Sequence, residues 1–322
     1  MKRYHYVLII VGLFFLFFPV LFKNPFFHHV VFMLFLYTIL AEAWNVIGGY
    51  AGQLSFGHAL YFGVSAYVST FLFVRFHISP WIGLGLGVLA AALVGFVVGL
   101  PFFRLRGHYF AIGTIGVTEA IRAIIKEWQL IGGAVGIYIP LIPSSFIDFQ
   151  WSSRIPYYYI GLGFVILALY ANYKVENSKL GYYLRAIKMN ESAALSLGIS
   201  PLKYKEISMI ISCGFTGVAG VLYAQYTLYV HPDSVMAMSI SIDMAIMALV
   251  GGARTIFGPF IGAALLIPLN EILKIYIGET GPLHIAVYGV IVMMVALFQP
   301  SGIIVYLERI LGKPVRVSKK EQ

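Results

Sequence analysis

Long apolar runs recur along the whole chain, and they restrict its fold more than any other feature. A membrane-spanning helix needs about 20 mostly apolar residues. Hydrophobic residues make up 60% of the 322 residues and charged residues only 11%, whereas a typical soluble domain has about 25% charged residues. The sequence therefore predicts an all-α membrane protein, a polytopic bundle of about ten transmembrane helices that forms a single domain over residues 1–322. The predicted spans lie near residues 5 to 22, 29 to 48, 60 to 74, 81 to 103, 108 to 125, 157 to 173, 207 to 229, 239 to 253, 256 to 277 and 283 to 299.

The basic residues predict how these spans are oriented. If the N-terminus is placed inside, most of the 22 lysines and arginines fall on the cytoplasmic side, as is usual for membrane proteins. We therefore expect both termini in the cytoplasm, with the first apolar run retained as a signal anchor. The net charge of +9 follows from this bias and favours contact with anionic lipid of the bilayer, and it is no argument for binding nucleic acid. The basic residues expected near the outer face are Lys23, Arg75, Arg122, Lys126, Arg154 and Lys274.

Two connecting loops are long. The outer loop, residues 126–156, contains GGAVG, prolines and aromatic residues, which is typical of a segment that lies at the membrane surface or caps a pore. The inner loop, residues 174–206, is the most polar part of the chain, and a tail at 300–322 is expected on the same side. Apolar and charged residues are intermixed in the inner loop, in a pattern that suits one or two short amphipathic helices. Gly198 suits a helix C-terminus, and Pro201 cannot continue the same helix.

A glycine-rich block interrupts the apolar sequence between the second and third spans, at GYAGQLSFGHALYFGVSAY. Its glycines permit tight turns and close backbone approach, as in the broken helices that line transport pathways. Polar side chains at membrane depth must face protein or a water-filled cavity, so we expect those of this block to face the interior of the bundle. They are candidates for the wall of a substrate pathway, although hydrogen bonds between helices are the alternative. These residues are Asn45, Gln53, Ser55 and His58.

Few other ionisable residues lie within the spans. Glu119 and Arg122 are three residues apart, so on a helix they can form an ion pair. Arg122 could instead receive a substrate carboxylate, and we include both residues in the predicted pathway. Asp243 lies at the start of an apolar run, where it could cap a helix.

The sequence gives little indication of a metal site or of a reactive thiol. His58 has no second histidine or carboxylate at ligand spacing, so no metal site is predicted. The single cysteine, Cys213, lies in an apolar run and is expected to be a small buried hydrophobic residue. Small residues at helix-packing spacing are frequent, for example at Gly95 and Gly99, and they predict close contacts between helices.

Four sequence blocks together resemble the permeases of branched-chain amino acid ABC importers, the LivM-like family. They are NVIGGYAGQLSFGHALYFGVSAY (45–67), RLRGHYFAIGTIGVTEAIR (104–122) followed by IGGAVGI (131–137), LGYYLRAIKMNESAALSLGISPLKYK (180–205) and LVGGARTIFGPFIGAAL (249–265). The resemblance implies a type II-like importer permease in a bacterial plasma membrane. Such a chain forms half of a translocation pore with a second, similar permease, and works with two ABC ATPase subunits and an extracytoplasmic substrate-binding protein.

The resemblance also implies roles for residues of the inner loop. The order E-x-A-A-x-x-x-G is similar to the coupling loop of importer permeases, in which a short helix docks on the ATPase. The implied coupling residues are Arg185, Glu191, Ala193, Ala194 and Gly198. An interfacial helix on the inner leaflet is the alternative. No phosphate-binding G-x-x-x-x-G-K-[ST] loop occurs in the sequence, so we expect no cofactor on this chain, and ATP to bind to the partner subunits.

Other substrates and other classes of protein stay open at this point. Close relatives with the same blocks carry urea or short amides, so leucine, isoleucine and valine are the default and not the only substrates. A secondary transporter or channel would need coupling-ion ligands inside the spans, and Asp243, Glu119 and His58 are scattered. An intramembrane enzyme would need a dense cluster of catalytic groups at one membrane face, and the sequence contains none, so we expect no enzymatic activity.

Overall fold

Helices occupy the apolar runs of the sequence. The computed structural model describes residues 2–105, 107–277, 283–298 and 302–310. Its helices are α1 (Lys2–Leu21), α2 (Pro25–Trp44), α3 (His58–Phe76), α4 (Pro80–Phe102), α5 (His108–Glu127), α6 (Ile155–Asn177), α7 (Lys179–Met189), α8 (Glu191–Ser196), α9 (Pro201–Thr227), α10 (Pro232–Val235), α11 (Met238–Gly251), α12 (Gly258–Ile277), α13 (Leu283–Phe298) and α14 (Ile303–Ile310). Two short strands, β1 (Ile137–Tyr138) and β2 (Tyr229–Val230), complete the secondary structure discussed below.

Seven helical segments among the described residues are long and apolar enough to cross a membrane. They are α2 with its C-terminal extension, α3, α4, α6, α9, the pair α10 and α11 taken together, and α12. The described parts of α1 and α13 are apolar but shorter. The all-α polytopic fold is therefore confirmed, whereas the predicted count of about ten transmembrane helices is not.

Helix α2 lies at the centre of the bundle. Most of its side chains are buried, and it packs against α6, α9, α11 and α12. Helices α3, α4 and α9 pack closely on one another beside it. An apolar helix that is buried on all sides is expected only in the core of a large bundle, which is the position that α2 takes.

Glycines bring the helices close together, as the small-residue spacing predicted. A Cβ at Gly217 would lie 3.0 Å from the Ala91 side chain of α4. A Cβ at Gly262 would collide with the carbonyl oxygen of Met247, so α11 and α12 meet backbone to backbone there. In lipid, where apolar surface gains little from leaving the solvent, such close contact is a main source of helix association.

The connections divide between the two ends of the bundle. One end carries α7 and α8, and we call it the α7–α8 end. At the other end, β1 pairs antiparallel with β2, with Ile137 opposite Val230. This sheet holds the loop of residues 128–154 to the bundle, and the hydroxyl of Tyr229 adds a hydrogen bond to the Val135 carbonyl oxygen at 2.8 Å. The two predicted amphipathic helices of the inner loop are present as α7 and α8.

The C-terminal part of the tail, residues 311–322, lies outside the described residues. The predicted boundary at Gly198 is confirmed, because this residue follows α8 with a φ of +80°, a conformation that glycine adopts at little cost. As predicted, Pro201 does not continue α8, and it opens α9.

Candidate functional site

The glycine-rich block breaks the helix, as predicted. Helix α2 continues into a π-helical turn, Asn45–Tyr50, and residues 51–57 then run without regular structure to the start of α3. Gly48 lies against the indole ring of Trp44, with no room for a side chain between them. π-Helical turns are rare in proteins, and those that occur are often located at functional sites.

Asn45 fixes this turn to two distant parts of the chain. Its side-chain oxygen accepts a hydrogen bond from the backbone N–H of Arg254 at 2.8 Å. Its amide group donates to the carbonyl oxygen of Thr255 at 3.0 Å and to the side chain of Asn172 at 3.4 Å. The side chain is fully buried. Asn45 therefore joins α2, α6 and the connection between α11 and α12.

His58 makes a second junction at the same end of the bundle. Its Nε2 lies 2.8 Å from the hydroxyl of Ser212 on α9, and that hydroxyl donates to the carbonyl oxygen of Ala43 at 2.6 Å. His58 and Ser55 are both fully buried, and Gln53 is partly buried. The block thus faces the interior, and for Asn45 and His58 the geometry is that of hydrogen bonds between helices.

Glu119 and Arg122 lie away from the glycine-rich block, toward the β1–β2 end. Arg122 forms the predicted ion pair with Glu119 and also approaches Asp233 of α10 at 3.4 Å. Lys126 approaches the same carboxylate at 2.6 Å. The cluster therefore ties the end of α5 to α10.

The five residues of the implied coupling loop face in different directions. Arg185 donates to the backbone carbonyl oxygens of Gly181 and Glu176. Glu191 forms a 2.8 Å ion pair with Lys205, whose side chain is only 2% exposed. Ala194 is buried, whereas Ala193 and Gly198 are exposed. Three of the five thus hold α7 and α8 in place, and two lie on the surface.

Apolar side chains cover the outer surface of α8 and its flanks. Met189, Leu195 and Leu197 are among the most exposed residues of this end, Met189 at 87%. Next to them lies a groove of about 220 Å³ between α8, the start of α9 and the connection from α4 to α5. Leu195 lines this groove together with Phe103 and Leu202. An exposed apolar patch of this kind is typical of a surface that binds another protein or a membrane.

Lys188 connects this surface to the glycine-rich block. Its ammonium group donates to the carbonyl oxygen of Gly49 in the π-helical turn at 3.1 Å. The stem of the same side chain passes over Gly52, where an added Cβ would lie 2.7 Å from the lysine Cγ. Gly52 also has a φ of +71°. Lys188 therefore contacts the end of α2 through both its ammonium group and its stem.

A cavity that the sequence analysis missed lies where α10 and α11 meet. It measures about 140 Å³ and is lined by Leu36, Tyr37, Leu40, Phe62, Tyr223, Ser234, Ser239 and Ile240. Asp243 belongs to the second turn of α11, whose N-cap is Ala237, so the interpretation of Asp243 as a cap was wrong. Two signals in the sequence could have located the cavity: Pro232 and the shortness of the apolar run that follows it. Short or interrupted spans mark binding sites in transporters.

Comparison with known proteins identifies the family. The sequence model of the family described as branched-chain amino acid transport system / permease component matches residues 26–297. The high-affinity branched-chain amino acid transport system permease protein LivM of Salmonella typhimurium is 28% identical over 84% of this chain and 68% of its own length. The LivM protein of Escherichia coli has the same identity and coverage.

A third relative comes from an archaeon. The probable branched-chain amino acid transport permease protein LivM of Methanocaldococcus jannaschii is 26% identical over 84% of this chain and 90% of its own length. No solved structure matches the chain. The match to the family spans most of the chain, from α2 to α13. The chain therefore belongs to the family of permease components of branched-chain amino acid transport systems.

Proposed function

We propose that this chain is the permease subunit of an ATP-driven importer of leucine, isoleucine and valine. It forms half of the translocation pore with a second, similar permease. Two ABC ATPases supply the free energy, and a substrate-binding protein delivers the amino acid. The names of the LivM relatives support the substrate. Both termini and the α7–α8 end are cytoplasmic in this proposal, which the distribution of basic residues supports.

The exposed apolar surface of α8 carries the proposal. Met189, Leu195 and Leu197 project from an end of the bundle that is otherwise rich in charged residues. The ion pair between Glu191 and Lys205 and the hydrogen bond from Lys188 to Gly49 fix α7 and α8 to the bundle. A short, firmly attached helix with an apolar outer face fits a docking element that transmits movement of the ATPase. Within this surface, Ala193 and Gly198 are exposed, and the Glu191 side chain lines the adjacent groove, so a partner can reach these three implied coupling residues.

The route of the substrate follows from the same proposal. Ser55, Gln53 and the π-helical turn lie at the inner end of the route, and Glu119 with Arg122 lies toward its outer end. Asn45 and His58 shape the inner end by holding its backbone in place. Asn45, Gln53 and Ser55 at the inner end are uncharged, which suits a pathway that must release its substrate.

The first experiment measures uptake of radiolabelled leucine and urea by cells that contain the complete transport system. Leu195→Glu together with Leu197→Glu places two charges on the docking surface. We expect these changes to abolish leucine uptake and the co-purification of the ATPases, while the protein still reaches the membrane. Leu141→Glu is the matched control, because Leu141 is an 83% exposed leucine in the loop at the opposite end, and it should retain the ATPases.

The other outcomes identify the alternatives. Uptake of urea in place of leucine would keep the mechanism and change the substrate. Leucine uptake that persists without the ATPase subunits would instead assign the chain to the secondary transporters or channels. An α7–α8 surface that tolerates both charges with full ATPase binding would refute the docking assignment.

A further inference from the structure

We propose that the cavity at the break between α10 and α11 binds the branched-chain amino acid during its passage through the permease. This inference rests on the proposed function, and it adds the site at which this chain itself recognises the substrate. The chemical class of the ligand is an α-amino acid zwitterion with a short branched alkyl side chain.

The size and the apolar wall of the cavity fit such a side chain. Leu36 and Leu40 of α2, Phe62 of α3 and Ile240 of α11 line the cavity, and all four are at least nine-tenths buried. An apolar cavity of about 150 Å³ holds a benzene molecule. The 140 Å³ found here therefore accommodates the four-carbon side chain of leucine, with the charged head group toward the open edge.

Polar groups lie at that open edge and among the apolar residues. Ser234 and Ser239 are both exposed and line the cavity. The tyrosines Tyr37 and Tyr223 come from α2 and α9, and Tyr223 stands against Phe62, with 5.4 Å between the ring centroids. Binding sites for small molecules commonly combine a mainly apolar wall with a few polar groups that fix the orientation of the ligand.

A carboxylate is located one helical turn beyond Ser239. Asp243 follows Ser239 by four residues on α11, so the two side chains lie on the same face of the helix. Asp243 interacts electrostatically with Tyr37 of the cavity wall, with Tyr288 and with Lys274. An ammonium group in the cavity would be attracted by this carboxylate. We therefore assign the α-ammonium group of the substrate to the side of Tyr37 and Asp243.

The start of α11 provides the complementary charge. Helix α11 begins inside the bundle, because the Met236 side chain just before it fills the space at Gly63 of α3. Its N-cap, Ala237, makes no side-chain hydrogen bond to the helix. The first backbone N–H groups of a helix lack partners within it and carry a partial positive charge. Since Ser239 and Ile240 of this first turn line the cavity, the substrate carboxylate is placed next to them.

This arrangement distinguishes between substrates. The distance between the two ends of the site is one helical turn along α11, which suits the adjacent charges of an amino acid. Urea has neither charge nor an alkyl group, so it would leave the apolar wall unfilled and would gain no charge–charge attraction from the Asp243 carboxylate. We therefore expect this site to favour leucine, isoleucine and valine over urea.

Protection of an introduced cysteine tests the site directly. The only native cysteine, Cys213, is fully buried, so the wild-type protein serves as an unreactive blank. Ser239→Cys, in the complete reconstituted transporter, places a thiol at the open edge of the cavity. Leucine at roughly ten times its dissociation constant should slow the reaction of this thiol with a small maleimide about tenfold, because only the unoccupied fraction reacts.

A control variant and a replacement variant make the result decisive. Ser153→Cys lies in the exposed connection before α6, and leucine should not change its labelling. If Ser239→Cys does not assemble, Ser234→Cys on the opposite side of the edge takes its place. Equal labelling with and without leucine over the whole concentration range, in a transporter that imports leucine, would refute the site. A wild-type transporter that fails to import leucine would instead refute the proposed function.

A cavity-filling variant gives an independent measurement. Ile240→Trp should lower the rate of leucine import at least tenfold, with ATPase binding retained, because the larger ring occupies the space of the substrate side chain. Leu249→Trp, at a half-exposed position on the same helix, is the matched control and should transport at nearly the wild-type rate. Wild-type transport by Ile240→Trp would contradict the inference.

Discussion

The ammonium group of Lys188 donates a hydrogen bond to the carbonyl oxygen of Gly49 at 3.1 Å. It is a direct contact between the proposed ATPase-docking segment and the π-helical turn that ends α2. Coupling between distant sites requires physical contacts that both sites bias. This contact joins the proposed docking segment to the end of α2.

Lys188→Met tests this connection. Methionine keeps the apolar stem over Gly52 but cannot donate to the Gly49 carbonyl oxygen. We expect leucine imported per ATP hydrolysed to fall severalfold, with ATPase binding unchanged. Lys179→Met, at an exposed lysine on the same helix, should leave the ratio unchanged. An unaltered ratio in Lys188→Met would show that α7 transmits movement by another route.

Removal of the Glu191 carboxylate should destabilise the α7–α8 segment. Lys205 is 2% exposed and pairs with Glu191, so Glu191→Ala leaves a buried ammonium group without its counter-charge. A buried donor that loses its partner costs about 1–3 kcal/mol, and a charged donor costs more. The thermal midpoint of the purified protein in detergent should fall, and the further change Lys205→Met should restore part of the loss. If Lys205→Met gives no recovery in the Glu191→Ala background, the ion pair is not the cause.

Gly262→Ala should separate α11 from α12. The new methyl group would collide with the backbone carbonyl oxygen of Met247, and overpacking of this kind costs about 1–3 kcal/mol. The thermal midpoint should therefore fall. Gly163→Ala on α6 is the matched control, since no atom lies within 4 Å of its added Cβ, and its midpoint should stay the same or rise. Equal midpoints for the two variants would contradict the close contact.

Arg122→Gln should change stability more than substrate affinity. Arg122 already contacts the carboxylates of Glu119 and Asp233, so it is engaged without a substrate. We expect Arg122→Gln and Asp233→Asn to lower stability by similar small amounts, less than about 1 kcal/mol for partly exposed ion pairs. The KM for leucine should change less than about twofold. A large rise in KM for Arg122→Gln alone would assign the guanidinium group to the substrate.

Local patterns in the sequence predicted the helices and their boundaries better than the contacts between residues that are far apart in the sequence. The apolar runs located the helices, and Gly198 and Pro201 marked the boundaries after α8 and before α9. The amphipathic inner loop was predicted as short helices because its periodicity is local. A hydrogen bond such as that between Asn45 and Thr255 joins residues far apart in the sequence, and no local pattern records it. The broken span of α10 and α11 was read as one apolar run beginning at 239, so its cavity was missed.

The sequence likewise predicted one part of the candidate site and missed another part. The sequence predicted that the side chains of the glycine-rich block face the interior, since polar groups cannot face lipid. It did not reveal that Glu191 forms an ion pair with Lys205, because the partner of a loop carboxylate depends on how the loop folds back on α9. The positions of Met189 and Leu197 as exposed side chains were likewise set by that fold.

The enclosure of α2 has a consequence for how the chain is made. This helix leaves the ribosome before α6, α9, α11 and α12, which surround it. Its apolar surface is compatible with lipid, so α2 can remain in the bilayer as a separate helix until the other helices have been made. The hydrogen bonds of Asn45 to Arg254 and Thr255, however, form only when these two residues have been made. A chain that ends before residue 254 lacks both of these hydrogen bonds, so the Asn45 amide keeps only its contact with Asn172.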